Sequence, residues 1–266
     1  MITILAIVIG IVVGCIMGLT GAGGGILAVP ALVYSQGWSM QEAMPVALLA
    51  VSLSALIGTI EGFSKKLVRY KAALLMAAAG APLTLLGVQI AGHLSQMWLM
   101  LIFSLMLFWV AGKLVWRLRA QEFDVPTRDT LAHINAHTGK FDWSFKAATV
   151  IASIGAAAGF VTGLLGVGGG FIIVPLLRAF TNVTMHGAVA TSLMVISLVG
   201  SFGVVSSVSH GAVLPPMFTA LFAAASVAGM LLGRQLAKKF SAKKVHIIFT
   251  VLLFAVAMSL LFKALA

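Results

Sequence analysis

Three consecutive glycines occur twice in this chain, as Gly23-Gly24-Gly25 and as Gly168-Gly169-Gly170, 145 residues apart and each inside a long apolar stretch. In hydrocarbon an unpartnered peptide group costs several kcal/mol, so irregular backbone persists there only when it is buried in protein or lines a cavity. Such a run stops one helix and starts another, and the starting helix offers unpaired N–H groups and the positive end of its dipole. The chemistry is that of an anion site. The bland alternative is a tight turn without a ligand. No Walker lysine followed by Ser or Thr, and no βαβ pattern, accompanies either run, which argues against nucleotide binding.

Hydroxyls can add hydrogen bonds to an anion without placing a charge in hydrocarbon. Ser52 and Ser197 stand at equivalent positions near the middle of their apolar segments, with Thr191 and Ser192 about one turn before Ser197. The candidate substrate site is therefore Thr20, Gly23, Gly24, Gly25, Ser52, Gly168, Gly169, Gly170, Thr191, Ser192 and Ser197. Each hydroxyl alone is as well explained by a bond to the carbonyl four residues back or to a neighbouring helix. No Asp, Glu, Lys or Arg falls at mid-depth of any apolar segment, whereas a cation path or acid relay would ordinarily place one there. Glu61 remains as a candidate for proton linkage, against a solvated helix end. Paired acids, an HExxH motif and a Ser-His-Asp set are all missing, so no catalytic constellation, metal site or cofactor is expected. His133 and His137 have i, i+4 spacing but no further ligands to converge with them, and read as a solvated turn.

The elements that must position these residues are repeated. Gly14-Cys-Ile-Met-Gly18-Leu19-Thr-Gly21-Ala-Gly23-Gly24-Gly25-Ile-Leu-Ala-Val29-Pro30 matches Gly159 through Pro175 at nine of seventeen positions. The match continues ungapped through Met40/Met185, Ser52/Ser197 and Gly58/Gly203, and after one inserted residue resumes at Gly87-Val88-Gln89 and Gly233-Arg234-Gln235. One structural unit is used twice. Gly10, Gly14 and Gly18, with Gly155, Gly159 and Gly163, recur every four residues and form a bare ridge that lets another backbone come close.

Hydrophobic residues make up 61% of the 266 and charged residues only 9%, far from the usual quarter, which places the chain in a lipid bilayer. Its formal charge of +11 is not gathered on one face or tail but lies between the apolar segments, so nucleic acid is not the expected partner. Cys15 is the only cysteine; it can form no intrachain disulfide and reads as a small packing residue. The N-terminus lacks the basic region of a signal peptide, so the first helix is expected to stay. Uncharged segments of spanning length run from about 43 to 60, 72 to 92, 94 to 112, 187 to 209, 212 to 233 and 245 to 262.

The charges between those segments choose a topology. If each glycine-motif region crosses once, eleven of seventeen basic residues share a side; if each goes in and comes back as a helical hairpin, sixteen do, all but Lys263. The expectation is an all-α polytopic membrane protein of two inverted repeats, each a glycine-motif hairpin plus three transmembrane helices. Residues 1–117 form the first repeat, 118–145 a cytoplasmic linker and 146–266 the second repeat, with both termini outside. In such an arrangement the two glycine tips converge near the midplane around one substrate.

The doubled Gly-Leu-x-Gly-x-Gly-Gly-Gly followed by Val-Pro, at Gly18 to Pro30 and Gly163 to Pro175, resembles the TauE/SafE family of membrane transporters, as does Ala190-Thr191-Ser192-Leu193. The resemblance covers nearly the whole chain except the linker. It implies export of small anions of sulfur and carbon metabolism, such as sulfite or organosulfonates, across the cytoplasmic membrane. The partners implied are that anion and the lipid bilayer, with a homodimer as an open option. The first repeat departs at Val46-Ala47, where Thr191-Ser192 corresponds, so a site built on those hydroxyls is asymmetric. The alternative from another class is an accessory membrane subunit that anchors, or hands sulfur species to, a cytoplasmic enzyme.

Overall fold

A computed structural model describes residues 2–21, 24–120, 144–237, 239 and 241–265, so Gly23, His133, His137 and most of the expected linker lie outside the described residues. Ten α-helices make up the described part. In the first repeat α1 (Ile2–Thr20) leads through a 3-10 turn at Gly24–Leu27 into the short α2 (Ala28–Gln36), followed by α3 (Met40–Ser64), α4 (Tyr70–His93) and α5 (Gln96–Ala120). The second repeat has the same order: α6 (Phe145–Leu165), the short α7 (Gly170–Phe180), α8 (Met185–Ser209), α9 (Pro216–Ala237) and α10 (Ala242–Leu265). Seven helices, α3–α6 and α8–α10, are long and apolar enough to cross a membrane. The chain is thus an all-α polytopic membrane protein. Each of the six spans read from the sequence matches a helix, four lying wholly inside and those from 94 and 212 beginning two and four residues ahead of α5 and α9, and α6, an arm of the second glycine-motif region, adds a seventh.

Local sequence explains where these helices start and stop. Ser39 and Glu42 form a reciprocal capping box at the start of α3, and at the equivalent place Thr184 accepts from the Gly187 N–H to start α8. At the second break Gly166 ends α6 with φ near +70°, and Gly169, with φ of +63°, caps α7. Side chains pay steric strain in that left-handed region and glycine does not.

The two repeats interleave. The first helix of each packs along the fourth helix of the other, α1 on α9 and α6 on α4; α3 packs on α8 and α5 on α10. The glycine ridges make the first two pairings. A Cβ placed on Gly14 would overlap the Ser226 carbonyl and one on Gly18 the Met230 carbonyl; in the other pair, Gly159 lies against Gly80 and Gly163 against Thr84 in the same way. Thr84 adds a hydrogen bond across the second pair, its hydroxyl lying 2.9 Å from the Gly159 carbonyl. Between helices in lipid, where apolar surface gains nothing by association, close backbone approach and such bonds are what hold the pair.

Helices α3 and α8 form the centre. Leu48 and Ser52 meet Gly200, Gly58 meets Leu193 and Gly62 meets Ala190, a register in which the two run antiparallel. The outer helices α5 and α10 carry large exposed apolar side chains, among them Leu105, Trp109, Ile248 and Phe262, as a lipid-facing surface requires.

Candidate functional site

The two glycine breaks meet at the middle of the central pair. A Cβ on Gly25 would touch Val51 and lie 3.3 Å from the Val167 carbonyl, and one on Gly168 would touch both Val51 and Ile196. Val51 and Ile196 are equivalent residues at the midpoints of α3 and α8. Gly24, Gly25, Gly168, Gly169 and Gly170 are all buried. Gly25 of the first break and Gly168 of the second thus lie against the same residue, Val51. The 3-10 turn from Gly24 and the first turn of α7 both start at this junction.

The hydroxyls divide. Ser52, buried, donates to the Leu48 carbonyl at 2.6 Å and lies against Gly200. Ser192, fully buried, donates to Val189 at 2.8 Å, and Thr20 to Ile16 at 2.8 Å. Thr191 accepts from the Arg69 backbone N–H at 3.0 Å, tying the start of α4 to α8. Ser197 is buried in the same helix. An oxygen that donates one bond keeps its lone pairs, but its single proton is spent; Ser52, Ser192 and Thr20 therefore face an anion only after turning from the backbone. The packing joins Thr20 with Gly170: both line a cavity of about 70 Å³ together with Lys113, Phe171, His246 and Phe249.

A much larger cavity, about 540 Å³, lies at the end of the bundle where α3 begins and α8 finishes. Trp38, Gln41, Glu42, Ser207 and His210 line its mouth, and Gly163 and Gly166, just before the second glycine run, lie at its deep end. Val213 at its rim is 81% exposed. Apart from Gly163 and Gly166, which belong to the doubled motif, these lining residues were not legible as a site, because they come from several helices and connections and share no motif. At the opposite end of α3, Arg234 donates to Glu61, and its other terminal nitrogen would lie 2.7 Å from a Cβ on Gly58. A cation thus reaches some six residues along α3 from Ser52, deeper than its place near the end of α9 suggests.

A family model described as "Sulfite exporter TauE/SafE" matches residues 6–260. The chain belongs to the TauE/SafE family. Curated relatives agree: a "Probable membrane transporter protein" of Xylella fastidiosa (strain 9a5c) is 31% identical, over 96% of this chain and 93% of its own length. The "Probable membrane transporter protein YunE" of Bacillus subtilis (strain 168) is 25% identical, over 98% and 97%. No solved structure gives a significant match. This TauE/SafE chain is therefore a multi-pass membrane transporter, with the doubled glycine motif at the heart of its fold.

Proposed function

We propose that the protein carries a small anion, sulfite or an organosulfonate, across the cytoplasmic membrane by alternating access, with the anion held where the two glycine tips meet. The observation that carries this reading is the junction itself: one break from each repeat, both buried, both against the midpoints of α3 and α8, with a 540 Å³ vestibule leading toward it from one end. Two helix starts directed at one place supply N–H donors and dipole charge, which favour an anion and bind it weakly enough for release. The antiparallel run of the equivalent helices α3 and α8 supports inverted repeats, and with them the basic loops on the cytoplasmic side and both termini outside. Gly23 through Gly25 and Gly168 through Gly170 are the proposed binding backbone. Ser52, Ser197, Thr191, Ser192 and Thr20 are the proposed hydroxyls around it. The family description names sulfite export, and Lys113 and His246 beside Thr20 and Gly170, at the cytoplasmic end in this topology, suit an anionic cargo entering from that side.

The test is counterflow of labelled sulfite into liposomes holding the purified protein alone, with sulfoacetate, taurine, sulfate and acetate as competitors. Saturable uptake, competed by anions of sulfur chemistry, is the expected outcome. Absence of flux for all of them, from folded protein, refutes the autonomous carrier and favours a subunit that works only with a partner.

A further inference from the structure

In a duplicated fold, a difference between equivalent positions is where the two copies do different work. Around the central pair the correspondence is close: Leu48 against Gly203 mirrors Leu193 against Gly58, and Met44 against Gly166 mirrors Val189 against Gly21. Its breaks include one that involves charge. Val88 lines the vestibule, and its counterpart is Arg234. Ser206, buried with no hydrogen-bond partner for its hydroxyl, has Glu61 as its counterpart. Arg234 Nη1 donates to one Glu61 oxygen and Lys65 Nζ to the other. The guanidinium, pressed on Gly58, fills at this end of the α3–α8 pair the space that the vestibule leaves open at the other.

A second polar tie lies on the same face, the Arg69 N–H to the Thr191 hydroxyl. Matching the starts of α4 and α9 gives Pro215, which has no N–H and lines the vestibule, in place of Arg69; Val46, which has no hydroxyl, stands in place of Thr191. Neither tie can form on the vestibule face. The cross-repeat ties at one end and their lack at the other accompany the shut face and the open one.

The geometry points to Arg234 and Glu61 as the latch of the second gate, positioning residues whose ion pair between α9 and α3 closes the end of the path opposite the vestibule. This rests on the alternating-access reading above. The pair joins the two repeats, so the face opens only when it breaks. With the Arg234 side chain 21% exposed and that of Glu61 37% exposed, breaking it is affordable within a transport cycle.

The experiment uses the full chain in a Cys15→Ala background, with one reporter cysteine at a time, and measures labelling by a water-soluble maleimide. Ala212→Cys reports the vestibule. Ala190→Cys, buried against Gly62, reports the latched face, with Val68→Cys on the same contact as a second reporter. Without the latch variants Ala212→Cys labels quickly and Ala190→Cys slowly. Glu61→Gln, and separately Arg234→Val, raises Ala190→Cys labelling about three- to tenfold, since a latch worth about 1 kcal/mol shifts a two-state equilibrium by that factor, while Ala212→Cys labelling falls only by the share of molecules that leave the vestibule-open state. The exchange Glu61→Arg with Arg234→Glu returns the Ala190→Cys rate toward its starting value. Unchanged Ala190→Cys labelling, an equal rise at Ala212→Cys, or an exchanged pair that stays as fast as the single variants would overturn the latch. Labelling needs no substrate, so loss of flux for every anion tested sinks the carrier reading separately.

Discussion

Replacing Gly169 by alanine adds one methyl group at the start of α7, and two separable costs follow. The backbone there has φ of +63°, which an L side chain occupies at a penalty of about 1–2 kcal/mol. The new Cβ would also lie 2.8 Å from the Thr162 hydroxyl and 2.9 Å from the Ala158 carbonyl, closer than carbon and oxygen pack, so α7 must move away from α6. Overpacking of this kind costs about 1–3 kcal/mol. Gly37 supplies the control: its φ is +69°, yet nothing lies within 4 Å of a Cβ built on it. Gly37→Ala should cost the backbone penalty alone, and Gly169→Ala about 2–5 kcal/mol in all. Thermal melting of the purified protein in detergent reads the difference, roughly 2–12 °C at the usual sensitivity for a chain of this size. Adding Thr162→Ala removes one of the two clashing atoms and should recover part of the loss, but not all of it. Because the tip is the proposed site, counterflow by Gly169→Ala should fall at least about tenfold while Gly37→Ala stays near normal. Equal melting temperatures for the two variants, or full flux with a displaced tip, would refute the reasoning.

Two further outcomes follow from the packing. Gly163→Ala drives a methyl group into the Thr84 carbonyl and should reduce the yield of folded protein sharply, whereas Gly92→Ala, with no neighbour within 4 Å, should be indistinguishable from the parent by size-exclusion profile and melting. Cys15→Ser should keep full anion counterflow, since Cys15 contributes its backbone carbonyl to the close approach of Gly233 and its thiol to no step proposed; loss of flux with intact folding would favour the sulfur-relay alternative.

The helices, their breaks and their order were legible because each signal is local. Apolar runs of spanning length and the glycine stops are written within a few residues of the feature they make. The repeat of 145 residues also announced which parts are equivalent, and the convergence of the glycine tips followed from that equivalence. The small cavity at Thr20 and Gly170 escaped notice because Lys113 and His246 reach it from α5 and α10, and their spacing along the chain carries no signal.

By itself the sequence determined that this is a doubled helical membrane protein with a paired irregular segment, because periodicity, length and backbone chemistry are properties of short stretches. Partner choice among the helices was decided only in three dimensions. Gly14 and Gly159 say that something comes close, but lipid is as apolar as any helix face, so hydrophobicity cannot say what; surface complementarity made it α9 for α1 and α4 for α6. The same holds for the charges. Arg234 and Glu61 are 173 positions apart and look like two solvated helix ends until packing brings them together.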